Sequence, residues 1–256
     1  MGAYQNGVKM SQPVMGGQPH NAYVSGHLVW DTREEPVIVA AGTIGTNGAS
    51  WTLFDNRRVV VNPGRIDWNH GTVSPWNEHE DIVTEIEFSG MGYNIVRTRS
   101  LFAALTNLNT ILGMEQWDMG NVSVITNMFR DTHSLISLNL SNWDVSNAEM
   151  FGTMFAFSGI QSLDISGWGT SSATTMSNMF RDARSLRRLI LGEHFVFLDN
   201  ALLPAVPNNT EFAGLWQNVG AGTEDSPQGA HIFTSAQLMA NYDGTAMADT
   251  WVWRRH

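Results

Sequence analysis

The chain contains no cysteine. That absence removes disulfides, thiolate nucleophiles and cysteine-ligated zinc together. Lysine is nearly absent too: Lys9 stands beside 13 arginines and 24 acidic residues, for a formal net charge of −10. A surface of that sign does not suit a nucleic-acid backbone. No apolar run approaches the ~20 residues that a membrane-spanning helix needs, so membrane insertion is not expected. The first 30 residues carry Lys9 but no apolar stretch of the signal-peptide kind, which points to a mature or partial chain. Enzyme signatures are missing as well. There is no G-x-S-x-G elbow, no phosphate-binding P-loop and no helical H-E-x-x-H. Residues 219–224, VGAGTE, lack the strand-to-helix setting that a dinucleotide fingerprint requires.

What the chain has instead is repetition. Trp117, Trp143 and Trp168 each precede a phenylalanine by 12 residues, at Phe129, Phe155 and Phe180. A methionine stands before each phenylalanine, at Met128, Met154 and Met179. Three copies at a spacing of 25 to 26 residues make an internal repeat. Before the tryptophan comes a short alternation, Leu138-Asn139-Leu140-Ser141 in one copy and Leu163-Asp164-Ile165-Ser166 in the next. It reads as a strand with the leucines facing in. After the tryptophan, Ala148, Phe151, Met154 and Phe155 recur at three-and-four spacing, which predicts one face of a short helix. Asp144, Ser146 and Asn147 between them supply turn and cap chemistry. Neither half buries its apolar face alone, so the copies must stack. The expected fold is α/β: a right-handed parallel solenoid of the leucine-rich-repeat kind, with one strand and one short helix per repeat.

The organisation along the chain follows. Residues 1–35, rich in Gly, Gln, Asn and Pro, read as an irregular lead-in. Residues 36–99 read as an N-terminal β cap with a degenerate first repeat, and just beyond it Leu101-Phe102 takes the place of Met-Phe. The array runs over 100–198, and two prolines, Pro204 and Pro207, mark its end. Residues 199–256 read as a mixed C-terminal cap, with Ser235 capping a helix and Asp243-Gly244 turning the chain. All four parts belong to one continuous solenoid.

The LxSLxLSxWDxSNxxxMxxMF module resembles the BspA-like leucine-rich-repeat surface proteins of Gram-positive bacteria. GTIGTNGASWTLFDNRRVVVNPG and SPWNEHEDIVTEIEF are similar to that family's N-terminal cap. LWQNVGAGTEDSPQGAHIFTSAQLMANYDGTAMADTWVW resembles the block that closes such arrays in lactic-acid bacteria. The likeness spans roughly residues 40–253. It implies a secreted protein held at the cell surface and concerned with adhesion, whose partner is a host or bacterial surface protein or glycoprotein. It carries over no catalytic residue and no cofactor.

Candidate sites divide along the same lines. The repeat tryptophans and Met-Phe pairs read as core, whereas Trp216, Trp251 and Trp253 are open to a sugar-stacking role. His70, Glu78, His79, Glu80 and Asp81 lie in a polar loop without the fixed convergence that a metal site needs, so no metal is expected. Asp118 and Asp144 recur at one repeat offset, which places them a rung apart rather than across a glycosidase cleft. The outward strand positions remain: Ser137, Asn139, Ser162, Asp164 and Arg188 form a flat polar face of the kind solenoids present to partners. The expected activity is therefore non-enzymatic binding by a monomer. A structural spacer, or a carbohydrate-binding module using the C-terminal tryptophans, is the alternative.

Overall fold

Leucines that alternate with polar residues pair into rungs. The computed structural model describes residues 35–256 apart from position 199, together with the backbone of four short strands upstream. Those four are β1 (Tyr4–Gln5) with β2 (Val8–Lys9), and β3 (His20–Val24) with β4 (His27–Asp31), each pair antiparallel. The rest of the expected irregular lead-in lies outside the described residues.

The main body is a β-solenoid of about five turns with few helices. On its first face β7 (Arg58–Val61), β9 (Glu85–Phe88) and β11 (Thr110–Leu112) pair in parallel. The same face continues in β12 (Ser137–Asn139), β13 (Ser162–Ile165) and β14 (Arg188–Leu191), again parallel. Leu138, Leu163 and Leu189 share one register row and are buried, as the alternation predicts. Between β11 and β12 the ladder is interrupted. The coils stay linked there by the Ser134 amide, which donates to the Thr106 carbonyl at 3.1 Å.

The second face departs from the expected helix. No helix forms after any of the repeat tryptophans. In its place run tight turns with two left-handed residues four apart: Ser100 and Ala104, Asn127 and Asp131, Thr153 and Phe157, Asn178 and Asp182. An α-helix needs negative φ throughout, so each such residue ends one before it starts. The backbone bonds divide accordingly. Amides of Ile125, Asn127, Phe129 and Asp131 donate to carbonyls of Met150, Gly152, Met154 and Ala156 on the next coil. Phe151, Thr153, Phe155 and Phe157 repeat this toward Thr175, Ser177, Met179 and Arg181. Intervening amides close local turns, as Arg130 does to Asn127 and Ala156 to Thr153. Apolar residues at three-and-four spacing fit a chain of such turns as well as they fit a helix, which is why the periodicity misleads. Strands β8 (Arg65–Asn69) and β10 (Asn94–Arg99), a parallel pair, begin this second face.

Between the faces lies an aromatic stack. Phe102, Phe129, Phe155 and Phe180 follow one another with ring centroids 5.3, 5.6 and 5.7 Å apart and planes within 14°. Trp117 stacks on Trp143 at 6.0 Å, with ring planes nearly parallel, while Trp168 tilts against Phe151. The indole N–H of Trp143 donates to the Met114 carbonyl and that of Trp168 to Leu140, each on the preceding coil. The repeat tryptophans and Met-Phe pairs are therefore core, as expected. Coil spacing also explains Gly167 and Gly192: a Cβ on either would collide with the carbonyl oxygen of Ser141 or Ser166 one coil back.

Antiparallel strands close both ends. At the start β5 (Ile38–Thr43) and β6 (Ser50–Phe54) pair onto β7, which makes the cap's last hairpin strand the first rung. Asp67 joins β8 to β10 by accepting from Arg97 and Arg65. At the other end β17 (Asp249–Arg255) lies antiparallel to β14, followed by β15 (Phe212–Asn218) and β16 (Ile232–Phe233). Two short helices, α1 (Ser235–Asn241) and α2 (Gly244–Met247), pack beside them. Thr234 rather than Ser235 caps α1, in a reciprocal box with Gln237. Ser235 instead donates to the Pro204 carbonyl and accepts from the Trp216 indole. Asp243 caps α2 through the Thr245 amide, so the expected simple turn is a helix start.

Phe155 touches phenylalanine rings on both sides, so Phe155→Ala should lower the unfolding free energy by roughly 3–5 kcal/mol. Denaturant titration of the variant and the native chain measures this. A second expectation concerns acid. The hydrogen bond from Arg97, aided by Arg65, holds the Asp67 carboxyl below the ordinary range. A group with a lowered folded pKa stabilises above its unfolded value of about 4 and loses that contribution as pH falls through the folded value. Asp67→Asn should therefore melt earlier than the native chain at pH 7, with the gap closing as the pH falls below about 4.

Candidate binding groove

The structure aligns three of the five expected site residues. Ser137, Ser162 and Arg188 occupy one register row across β12, β13 and β14, and Val252 of β17 continues it. Their side chains face outward because the adjoining leucines face the core. Asn139 and Asp164 share the next outward row with Ile190. Their chemistry is local. Asn139 Oδ1 accepts from the Ser141 amide at 3.0 Å and its hydroxyl at 2.7 Å, and Asp164 Oδ1 does the same with Ser166. Each side chain thus builds the turn that leads to the next tryptophan.

The first row lies in a groove of about 390 Å³ where the array meets the C-terminal cap. Ile136, Ser137, Gln161 and Ser162 line its array side, with Arg187 and Arg188 between. Phe212, Trp253 and Arg255 line its cap side. Loop 219–229 forms a wall that carries Glu224 and Asp225. Gln217 of β15 ties this loop down by donating to the carbonyls of Pro227 and Gly229.

Charge in the groove is partly paired. Arg188 donates to Glu224 at 2.6 Å and to the Ser162 hydroxyl at 3.2 Å, joining loop to array. Arg255 donates to Glu211 at 2.5 Å and lies 5.3 Å over the Phe212 ring. Arg187 is exposed, and among the described residues no carboxylate lies within ion-pair distance of it. A larger cavity of about 540 Å³ sits beside Arg181, Asp182 and Arg184. It holds none of the expected residues, and its charges satisfy one another through Asp182.

The other candidates fall elsewhere. Trp216 and Trp251 are wholly buried, at 0% exposure, so a sugar platform on the C-terminal tryptophans reduces to Trp253. Trp253 is partly exposed and meets Phe212 and Trp216 edge-on. Asp144 accepts from the Ser146 amide, and the Ser146 hydroxyl and amide together hold its carboxyl below the ordinary range. It behaves as a turn cap. His70 lies against Trp68 and His79 against Trp51. Among the described residues no three His, Asp or Glu side chains gather as metal ligands do. Among them, too, no helix is long and apolar enough to cross a membrane.

Sequence reasoning missed the cap's share of the groove: Phe212, Glu224, Asp225 and Arg255. They lie far along the chain from β12 and arrive only because β17 and β15 extend the same sheet. One signal was present. Arg187-Arg188 replaces the uncharged pairs Ile136-Ser137 and Gln161-Ser162 of the earlier copies, in a chain short of cations.

Residues 93–192 match a family model described as Mycoplasma protein of unknown function, DUF285. That span runs from the start of β10 to just beyond β14, the array itself. No curated protein and no solved structure matches the chain.

The turn role of the second row makes a distinct expectation. Asn139→Ala and Asp164→Ala should each cost roughly 0.5–1.5 kcal/mol of stability through lost turn bonds. Thermal unfolding of the two variants measures it.

Proposed function

We propose that this chain is a non-enzymatic binding module, displayed outside the cell as a monomer, whose partner is a surface protein or glycoprotein. The observation that carries the reading is the junction groove. There the outward row Ser137, Ser162 and Arg188 meets aromatic and charged side chains of the cap. A partly exposed tryptophan and arginines within a concave polar rim are the composition typical of binding hot spots. The repeat module and both flanking blocks support kinship with BspA-like leucine-rich-repeat surface proteins of Gram-positive bacteria, and with it a cell-surface, adhesive role and right-handed winding. Cofactor chemistry has no part in the proposal. Affinity comes from a rigid face whose geometry the backbone ladders hold in advance.

A spacer is the second reading. What favours it is that Asn139 and Asp164 direct their polar atoms to their own turns rather than outward. The two readings separate in one experiment. The native chain and Ser137→Trp, which fills the groove from an exposed position, are titrated by surface plasmon resonance. The immobilised targets are mucin, fibronectin and fibrinogen at physiological salt. Saturable binding that the variant loses is the expected result. Binding that survives in the variant moves the site out of the groove, and no saturable binding to any of the three makes the chain a spacer.

A further inference from the structure

The groove's charge and spacing narrow its ligand, on the premise that the groove is the binding site. Around it the chain is acidic, with a net charge of −10. Inside it three arginines, 187, 188 and 255, meet two carboxylates, Glu224 and Asp225. Arg255 is engaged by Glu211 and Phe212. Arg187 is exposed, and among the described residues only its backbone is tied, by the amide to Gln161 and the carbonyl to Trp253. An uncompensated guanidinium favours a carboxylate, which it can grip by two parallel hydrogen bonds. The acidic surroundings work against polymers that carry several charges on each unit, such as polysulfated chains, since repulsion grows with every added charge. A ligand with a single carboxylate per unit satisfies both conditions.

Spacing points to the polymer. The row Ser137, Ser162, Arg188 runs across the strands, so it offers one polar side chain per rung, every ~4.8 Å. That interval is comparable to the length of one pyranose in an extended saccharide. A peptide would more naturally add to a free strand edge. Yet of the strands that floor the groove β13, β14, β17 and β15 are each paired on both sides, and only β12, three residues long, lies at the sheet's edge. Over the four paired strands the groove presents side chains only. Trp253, partly exposed beside them, offers an apolar surface to the C–H face of a sugar.

We propose that the groove binds an acidic saccharide of the uronic-acid type, lying across the rungs, with a carboxylate held between Arg187 and Arg188. Glu224 then has a defined part. It stands on loop 219–229, half exposed, and occupies Arg188 through the 2.6 Å ion pair. The ligand's carboxylate takes the place of the Glu224 carboxylate, which swings into solvent. Glu224 is thus an internal competitor, and removing its charge should tighten binding.

The test is isothermal titration of the full chain with oligogalacturonate, a neutral galactan oligosaccharide of equal length, and a hexaglutamate peptide. Oligogalacturonate should bind, and should bind more weakly as salt rises. Arg187→Ala should weaken it by about tenfold, the loss of one charge-assisted contact. Glu224→Gln should strengthen it several-fold, and Ser137→Trp should abolish it. Circular dichroism and thermal melting of each variant establish that it folds. The proposal is overturned if oligogalacturonate does not bind, if the neutral sugar or hexaglutamate binds as tightly, or if Glu224→Gln weakens binding. The broader reading fails separately. If one of the immobilised proteins binds the native chain but not Ser137→Trp, and oligogalacturonate does not compete, the groove stands as a binding site and its acidic-sugar assignment falls.

Discussion

The Phe155 amide donates to the Met179 carbonyl on the next coil at 2.9 Å, and the Phe129 amide does the same to Met154. Every other feature of the array depends on this coil-to-coil bonding. A turn segment that sends alternate amides to its neighbour cannot satisfy itself, so no coil is stable alone. Stacking brings the phenylalanines into line and the tryptophans back against the previous coil. The buried rings and the backbone ladder therefore stabilise each other: the rings exclude water from the bonds, and the bonds fix the ring spacing. The left-handed residues Asn127, Thr153 and Asn178 turn the chain so that both occur together.

A stack of this kind has exposed strand edges wherever it stops, and edges invite association. Both ends are closed by antiparallel strands, and closure at the C-terminal end has a consequence for function. Strands β17 and β15 prolong the sheet beyond β14, while loop 219–229 folds over its outer side. The flat polar face of the array becomes a groove only where the cap adds this wall. The proposed site is therefore a product of ending the solenoid. The repeats supply the hydroxyls and Arg188, and the cap supplies Trp253 and Glu224.

Much of this was legible in the sequence, and particular residues show why. The Trp-to-Phe interval revealed the repeat, and the alternation around Leu138 and Leu163 gave the inward and outward sides of the strand correctly. Strand alternation has a period of two, which no other regular structure imitates. The helix after each tryptophan was misread because apolar spacing at Ala148, Phe151, Met154 and Phe155 reports which side chains are buried, not where the amides bond. Thr153 and Phe157 in left-handed conformation carry no sequence mark, unlike glycine at Gly214 or Gly220. The pair β8 and β10 was likewise hidden: from Asp67 onward the chain reads as a polar loop, although Asp67 to Asn69 pair with β10 beside the Arg65–Asp67–Arg97 bridge. Of the expected site, the row through Ser137, Ser162 and Arg188 was readable because register follows from the repeat. Its partners from the cap were not, since the pairing of Arg188 with Val252, and its contact with Glu224 36 positions away, follow from sheet order alone.

The segment after each tryptophan bonds across coils as well as in local turns, and never as a helix. Through-hydrogen-bond scalar couplings, measured by NMR on the perdeuterated chain, read this directly. With cross-coil bonding the Phe155 amide couples to the carbonyl of Met179, and the Phe129 amide to that of Met154. Coupling of the Phe155 amide to the carbonyl of Phe151, four residues back in its own coil, would contradict it and restore the helix.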